Sequence, residues 1–211
     1  PDDPALGLVA VKPQAVAAAL PTLSALGNGG TVVLSVVAGA PMSVFEAALG
    51  ARTPLVRAMP NTPAAVGKGI TALIGNAAAD EAAMTMADTL MSAVGQTVRL
   101  ADEAQMDAVT AVSGSGPAYV FHLIETLAAA GEAQGLPGAL ALHLARATVA
   151  GAAALAEQSA QDPAQLREDV TSPGGTTAAA LAVLMDEATG FPPLLARAVH
   201  AAAARSRELG Q

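Results

Sequence analysis

The sequence predicts an α/β layer with a mostly parallel sheet, followed by an all-helical half. Three observations carry this reading. Up to about residue 100, short apolar, β-branched runs alternate with helix-like stretches, the pattern of buried strands covered by helices. From Asp102 onward the strand pattern disappears, and helices remain between Gly and Pro clusters. The composition is 53% hydrophobic but only 2% aromatic, with alanine about a quarter of the 211 residues, so the helices have small side chains and can approach one another closely.

Taken in order, Leu6–Val11 reads as a strand stopped by Pro13, and Gln14–Leu26 as a helix ended by the Gly27-Asn28-Gly29-Gly30 cluster. Thr31–Val37 is a β-branched strand. Ser43–Leu49 suits a short helix with Ser43 as N-cap and Glu46 at the capping-box spacing. Leu55–Met59 is a strand closed by Pro60-Asn61-Thr62-Pro63, and Gly69–Ile74 is another. Asp80–Val94 is a helix with an acidic first turn, and Gln96–Leu100 is the last strand. Ala104–Val112, Pro117–Gln134, Pro137–Gln158, Pro163–Val170, Thr176–Glu187 and Pro192–Leu209 read as helices, with Gly and Pro clusters as their breaks. Two domains are expected, residues 1–101 and 102–211. Ala139–Leu155 is apolar nearly all round, so it must be buried on more than one side, and a subunit interface is the natural place.

Charge and composition exclude several classes of function. A hydrophobic fraction this high, with 13% charged residues, excludes a disordered chain. The formal charge is −8, with net −1 over residues 1–100 (5 basic, 6 acidic) and −7 over 101–211 (5 basic, 12 acidic). No basic face and almost no aromatic platform are available for nucleic acid. The absence of cysteine removes disulfides, thiolate nucleophiles and Cys-ligated metals, and suits a cytoplasmic protein. The uncharged stretch Pro13–Phe45 is broken by prolines and glycines, so no membrane span is expected there. His122, His143 and His200 lie on different helices without metal-ligand spacing, and no metal site is expected.

Four segments could carry chemistry. Val170-Thr171-Ser172-Pro173-Gly174-Gly175-Thr176-Thr177 joins two helices. Its glycines allow close backbone approach, and the helix it opens offers unpaired N–H groups to a carboxylate or phosphate; the alternative is an ordinary turn with a Thr N-cap. Ser113-Gly114-Ser115-Gly116-Pro117-Ala118-Tyr119 is either a backbone segment packed against a ligand or a turn with Pro117 opening a helix. Its G-x-G is not a dinucleotide fingerprint, since Tyr119 replaces the third glycine and a helix precedes it. Lys12 and Asn61 follow the first and third strands, where open α/β sheets bind ligands. Asp102, Glu103 and Asp107 form an acidic cluster whose plain reading is a solvated helix start.

Together the strings Ala10-Val11-Lys12-Pro13-Gln14, Arg57-Ala58-Met59-Pro60-Asn61-Thr62-Pro63, Ser113–Phe121 and Asp169–Thr177 resemble the pyrroline-5-carboxylate reductase family, in the family's order and over nearly the whole chain. The resemblance implies a Rossmann-type domain followed by a helical dimerisation domain, with both subunits of the dimer shaping each site. It implies NADPH- or NADH-dependent reduction of 1-pyrroline-5-carboxylate to L-proline, the last step of proline biosynthesis. Ser172, Gly174, Gly175, Thr176 and Thr177 would hold the substrate carboxylate, with Thr177 closest to the ring nitrogen. Val11, Lys12 and Pro13, and Val36, Val37 and Ala38, would meet the cofactor. Glu103 on the substrate side and Asp169 on the cofactor side match positions near the ligands.

One departure stands out. No G-x-G-x-x-G pyrophosphate cradle occurs in these residues. Leu6–Val11 looks like the fourth strand of the 3-2-1-4-5-6 order, with its neighbour the missing first strand. The expectation is a chain lacking about 60 preceding residues, two βαβ-scale units, or alternatively an intact short chain whose initiator Met has been removed. As it stands it is expected to bind NAD(P)H weakly or not at all. Two other readings compete. A β-hydroxyacid-type dehydrogenase would use a lysine in its helical domain, whereas the lysines here are Lys12 and Lys68. A catalytically incomplete dimeric scaffold would bind no dinucleotide.

Overall fold

The computed structural model describes residues 4–210. It divides into two compact units: the chain up to Pro117 together with the residues from Val199 on, and Ala118–Ala198.

The first unit is built on a five-stranded sheet in the order β1 (Leu6–Val9), β2 (Val32–Ser35), β3 (Leu55–Met59), β4 (Gly69–Gly75), β5 (Gly95–Arg99). The β1–β2, β2–β3 and β4–β5 pairs are parallel, and β3–β4 is antiparallel. Register is set by side-chain alternation. Val9, Val33 and Leu55 face one core with Val16, Leu20, Phe45 and Leu49. Val32, Leu34, Val56, Ala58 and Leu73 face the other with Ala83, Ala87 and Met91. A slip of one residue would exchange the two faces.

The helical cover departs from the sequence reading in instructive ways. The helix expected over Gln14–Leu26 is one α-turn, α1 (Val16–Ala19), between 3-10 segments Pro13–Ala15 and Leu20–Leu26. Pro21 has no N–H to continue the α ladder, so the shorter hydrogen-bond pattern takes over. The strands expected to reach Val11 and Val37 end at Val9 and Ser35, leaving residues 10–12 and 36–41 as loops. In α2 (Met42–Leu49) Pro41 is the N-cap and no side chain of the helix caps it. Ser43 therefore lies inside the helix, and the expected capping box does not form. By contrast α3 (Glu81–Ser92) is capped as expected, Asp80 accepting from the Ala83 N–H at 2.9 Å.

The helix expected over Ala104–Val112 is composite: a 3-10 turn Glu103–Gln105, α4 (Met106–Val109) and a π turn Thr110–Gly114 closed by Ser115 N–H to Thr110 O at 2.8 Å. The helices that follow are α5 (Gly116–Ala133), α6 (Gly138–Gln158), α7 (Pro163–Asp169), α8 (Thr176–Leu184) and α9 (Phe191–Leu209). α8 stops three residues earlier than expected because Asp186 organises the next turn, accepting from the N–H groups of Ala188 (3.0 Å) and Thr189 (2.7 Å) and from the Thr189 hydroxyl (2.8 Å). The last turns of α9 belong to the first unit, where buried Ser206 donates to Asp107 at 2.6 Å.

In the second unit the buried apolar side chains are Ala128, Ala141 and Ala145. Gly131 of α5 lies against Leu136 and Ala141, the close approach that small residues permit. Phe121, Leu127, Leu140, Leu144, Leu155 and Val183 are all exposed. By length and composition α6 could cross a membrane, though few of its residues are buried.

Candidate active site

The carboxyl ends of β1, β2 and β3 open on one side of the sheet, where parallel α/β sheets form their ligand crevice. The residues expected to meet the cofactor lie in the first two of these loops. After β1, Val11 is half-buried while Lys12 and Pro13 are exposed, Lys12 sitting just ahead of the 3-10 turn. After β2, Val37 is buried and Val36 and Ala38 are half-buried. The Val36 N–H continues the ladder to Val9 O at 3.0 Å, and the Val37 N–H reaches the Ser35 hydroxyl oxygen at 3.3 Å. Gly39 takes φ +75°, a left-handed conformation suited to glycine, and its α-carbon faces the Leu209 side chain.

Beneath this second loop lies a charge pair. Arg57 sits in the middle of β3, paired with Ser35, and is 6% exposed. Its guanidinium donates to Glu103 Oε1 at 2.8 Å. The same oxygen accepts the Met42 N–H, the first of α2, also at 2.8 Å. Sequence reading did not single out Arg57, although a charged residue inside Leu55-Val56-Arg57-Ala58-Met59 was the available signal, since a buried charge requires a partner.

After β3, Asn61 works as a clasp. Its Oδ1 accepts from the Ile70 N–H at 2.9 Å, and its Nδ2 donates to both the carbonyl and the hydroxyl of Ser113, each at 3.3 Å. The π turn carrying Ser113 thus lies over the end of β3. A Cβ on Gly114 would come within 2.6 Å of the Met59 methyl. The Ser-Gly-Ser-Gly string is therefore a close-approach segment as well as a helix start, and π turns recur at functional positions.

The remaining expected residues lie in the second unit. The Ser172–Thr177 turn is closed by the Gly175 N–H on Ser172 O at 3.0 Å. Gly174 has φ +68°. Gly175 is the N-cap of α8, with no side-chain cap, so the first N–H groups of that helix remain available to a ligand. Ser172, Gly174 and Thr176 are exposed, while Gly175 and Thr177 are half-buried. Asp169 ends α7 and accepts from the side-chain amides of Gln161 (3.0 Å) and Gln165 (2.9 Å). Glu103, expected on the substrate side, belongs to the first unit. A wide depression of about 710 Å³ elsewhere in the first unit, between Leu6 and the Met86–Leu90 face of α3, is mostly apolar and contains none of these residues.

Residues 103–209 match the family model described as pyrroline-5-carboxylate reductase dimerisation. The pyrroline-5-carboxylate reductase of Pseudomonas aeruginosa is 45% identical over 204 residues, which span 97% of this chain and 74% of that protein. The chain belongs to the pyrroline-5-carboxylate reductase family. Among solved structures, the Coxiella burnetii pyrroline-5-carboxylate reductase superposes with a TM-score of 0.91 at 38% identity, covering 98% of this chain and 76% of that one. The Plasmodium falciparum pyrroline carboxylate reductase, solved with NADP bound, gives 0.86 at 30% identity, covering 98% and 78%. The family assignment matches both halves of the fold, a Rossmann-type, mostly parallel sheet and a helical dimerisation segment, and it makes the chain a homo-oligomer.

Proposed function

We propose that this family member reduces 1-pyrroline-5-carboxylate to L-proline with NADPH or NADH as reductant, in the cytoplasm, with a functional division at residues 101/102. On this reading residues 1–101 serve the dinucleotide, and residues 102–211 serve dimerisation and the substrate. The observation that carries it is the Ser172–Thr177 turn, a two-glycine turn leading into an uncapped nine-residue helix. It lies in a half-chain with net charge −7 (5 basic, 12 acidic). There an anionic substrate must be held by backbone donors and local dipoles rather than by a basic patch.

Each residue then has a task. Gly175 commits its N–H to Ser172 O, so it contributes close approach, while the Thr176 and Thr177 N–H groups and the Ser172 and Thr176 hydroxyls face the carboxylate. Thr177 Oγ1 accepts the N–H of the protonated ring nitrogen and fixes the ring face. The residues after β1 and β2 suit the nicotinamide end of a dinucleotide: Val36, Val37 and Ala38 are small and apolar, and Lys12 is exposed. When bound, the dinucleotide supplies a hydride to the C=N carbon. The imine arrives protonated and electrophilic, so no strong general acid is needed, and fixed positioning of the reactants is the main catalytic contribution. Asp169 and Glu103 act beside the ligands, Asp169 by holding the segment that leads into the turn.

The test is a chemical-shift map with L-proline, paired with thermal protection by the same ligand, which stabilises only through the folded state. The expected result is a rise in melting temperature, with shifts centred on Ser172–Thr177. Shifts confined to other segments would refute the assignment. Proline binding without any NAD(P)H oxidation in the presence of the imine would favour the scaffold reading.

A further inference from the structure

We infer that Glu103 is a positioning residue for the β2–α2 loop: a single carboxylate oxygen ties the buried Arg57 guanidinium to the first N–H of α2 and so fixes Val36–Pro41. The assignment of that loop to the dinucleotide rests on the proposed function; the tethering of the loop rests on geometry alone.

Four observations converge. First, α2 has no cap of its own. Its N-cap is Pro41, and its first N–H is satisfied by Glu103, 61 residues away in sequence. Second, a carboxylate suits this position better than a neutral acceptor, since it faces both a helix N-terminus and a guanidinium that is almost wholly removed from water. Third, the other end of the loop is already held, Val36 by Val9 O and Val37 by the Ser35 hydroxyl. Glu103 therefore closes the one end that the sheet does not control. Fourth, Gly39 in the middle of the loop lies against Leu209. Both contacts from outside the sheet, Glu103 and Leu209, thus come from the two ends of the stretch 103–209 that matches the dimerisation model. The dimerisation segment grips the loop at its middle and at its exit, which links the conformation of a dinucleotide-side loop to the segment that builds the oligomer.

The experiment compares the intact protein with Glu103→Gln, Glu103→Ala and the double variant Arg57→Met/Glu103→Ala, using amide hydrogen exchange over Val36–Met42 and separate KM values for NADPH and the imine. In Glu103→Ala, exchange in this segment should rise about tenfold, the size of one lost charge-assisted hydrogen bond in a local opening equilibrium. The KM for NADPH should rise about fivefold as the competent loop population falls, while the KM for the imine stays within about twofold. Glu103→Gln keeps an oxygen that can accept from the same two donors but loses the charge, and should fall between wild type and Glu103→Ala on both readouts. If Glu103→Ala fails to fold because Arg57 is left unpaired, the double variant removes the buried cation and should fold with the same loosened loop. Unchanged exchange over Val36–Met42 in a folded Ala variant would overturn the inference. So would a raised KM for the imine with NADPH unaffected, which places Glu103 at the substrate. A wild-type protein without reductase activity would sink the proposed function instead, and the exchange data would still decide the role of Glu103.

Discussion

The smallest unit on which the proposed reaction depends is the hydroxyl of Thr177. Removing one hydrogen bond to a cationic ring nitrogen costs about 1.5–3 kcal/mol, so Thr177→Ala is expected to lower kcat/KM roughly tenfold to a hundredfold. Thr177→Ser should keep most of the activity. Steady-state rates with melting curves check this, since the change should leave stability nearly untouched. The neighbouring glycines separate two effects that the sequence merges. Close backbone approach is the expectation for both glycines, and the structure gives each a different demand. Gly174 takes φ +68° with open space around it, so Gly174→Ala should cost about 1 kcal/mol of stability through backbone strain. Gly175 has φ −80°, but a Cβ there would lie 3.1 Å from Ser172 O. Gly175→Val should therefore distort the turn and reduce activity more than stability. An inversion of that order, read by urea denaturation alongside kcat/KM, would show that the turn is shaped differently. The partner of Arg57 illustrates what a sequence hides: the need for a counter-charge can be read from one apolar strand, but Glu103 lies 46 residues further on and only the packing of the chain brings it there.

At the scale of elements, legibility followed the source of each element's hydrogen bonds. Strands with β-branched alternation form within the runs that predict them, although β1 and β2 stop two residues short of their expected ends, and a helix with a local cap, such as α3 under Asp80, starts where its pattern puts it. Elements whose ends depend on distant partners do not. α2 begins where Glu103 holds its N–H, and the π turn at Thr110–Gly114 forms where Asn61 grips Ser113. Asn61→Ala should accordingly destabilise the first unit by about 1–3 kcal/mol, the cost of leaving partly buried donors and acceptors unpaired, seen as a lower urea midpoint. An unchanged midpoint would mean that solvent replaces the clasp. The turn after α8 gives a pH-dependent counterpart. Hydrogen bonds from the Thr189 side chain, then from the Thr189 and Ala188 N–H groups, hold the exposed Asp186 carboxyl below its ordinary value of 3.8. A folded-state value below the unfolded one means that the contribution is present above the ordinary value and is lost as pH falls through the folded one. The melting temperature of the wild type should exceed that of Asp186→Ala slightly at neutral pH, and the two should converge below pH 3.8. A gap that persists undiminished in acid would assign the effect to packing.

At the scale of the molecule, the second unit is too poor in interior to stand by itself. Its buried apolar side chains are three alanines, Ala128, Ala141 and Ala145, whereas Phe121, Leu127, Leu140, Leu144 and Leu155 on α5 and α6 are 43–59% exposed. Large apolar side chains exposed in such number along two neighbouring stretches of chain are the composition of an interaction site. The same side chains explain why α6 has the length and composition of a membrane span: the dimerisation segment gives it a protein partner. If a second copy supplies the missing half of this core, folding and association are one equilibrium, and the melting temperature must rise with protein concentration. In a two-fold dimer each substitution acts twice. Leu144→Asp then forfeits burial worth about 1.5–3 kcal/mol per copy and also places a carboxylate in each half of the interface. The expected product is unfolded or aggregated protein, with no folded monomer by sedimentation at micromolar concentration. A Leu144→Asp chain that sediments as a monomer with the native circular-dichroism spectrum and an unaltered melting temperature would show that the second unit is held by its own alanines, and the dimer would then be an association of finished folds rather than a condition of folding.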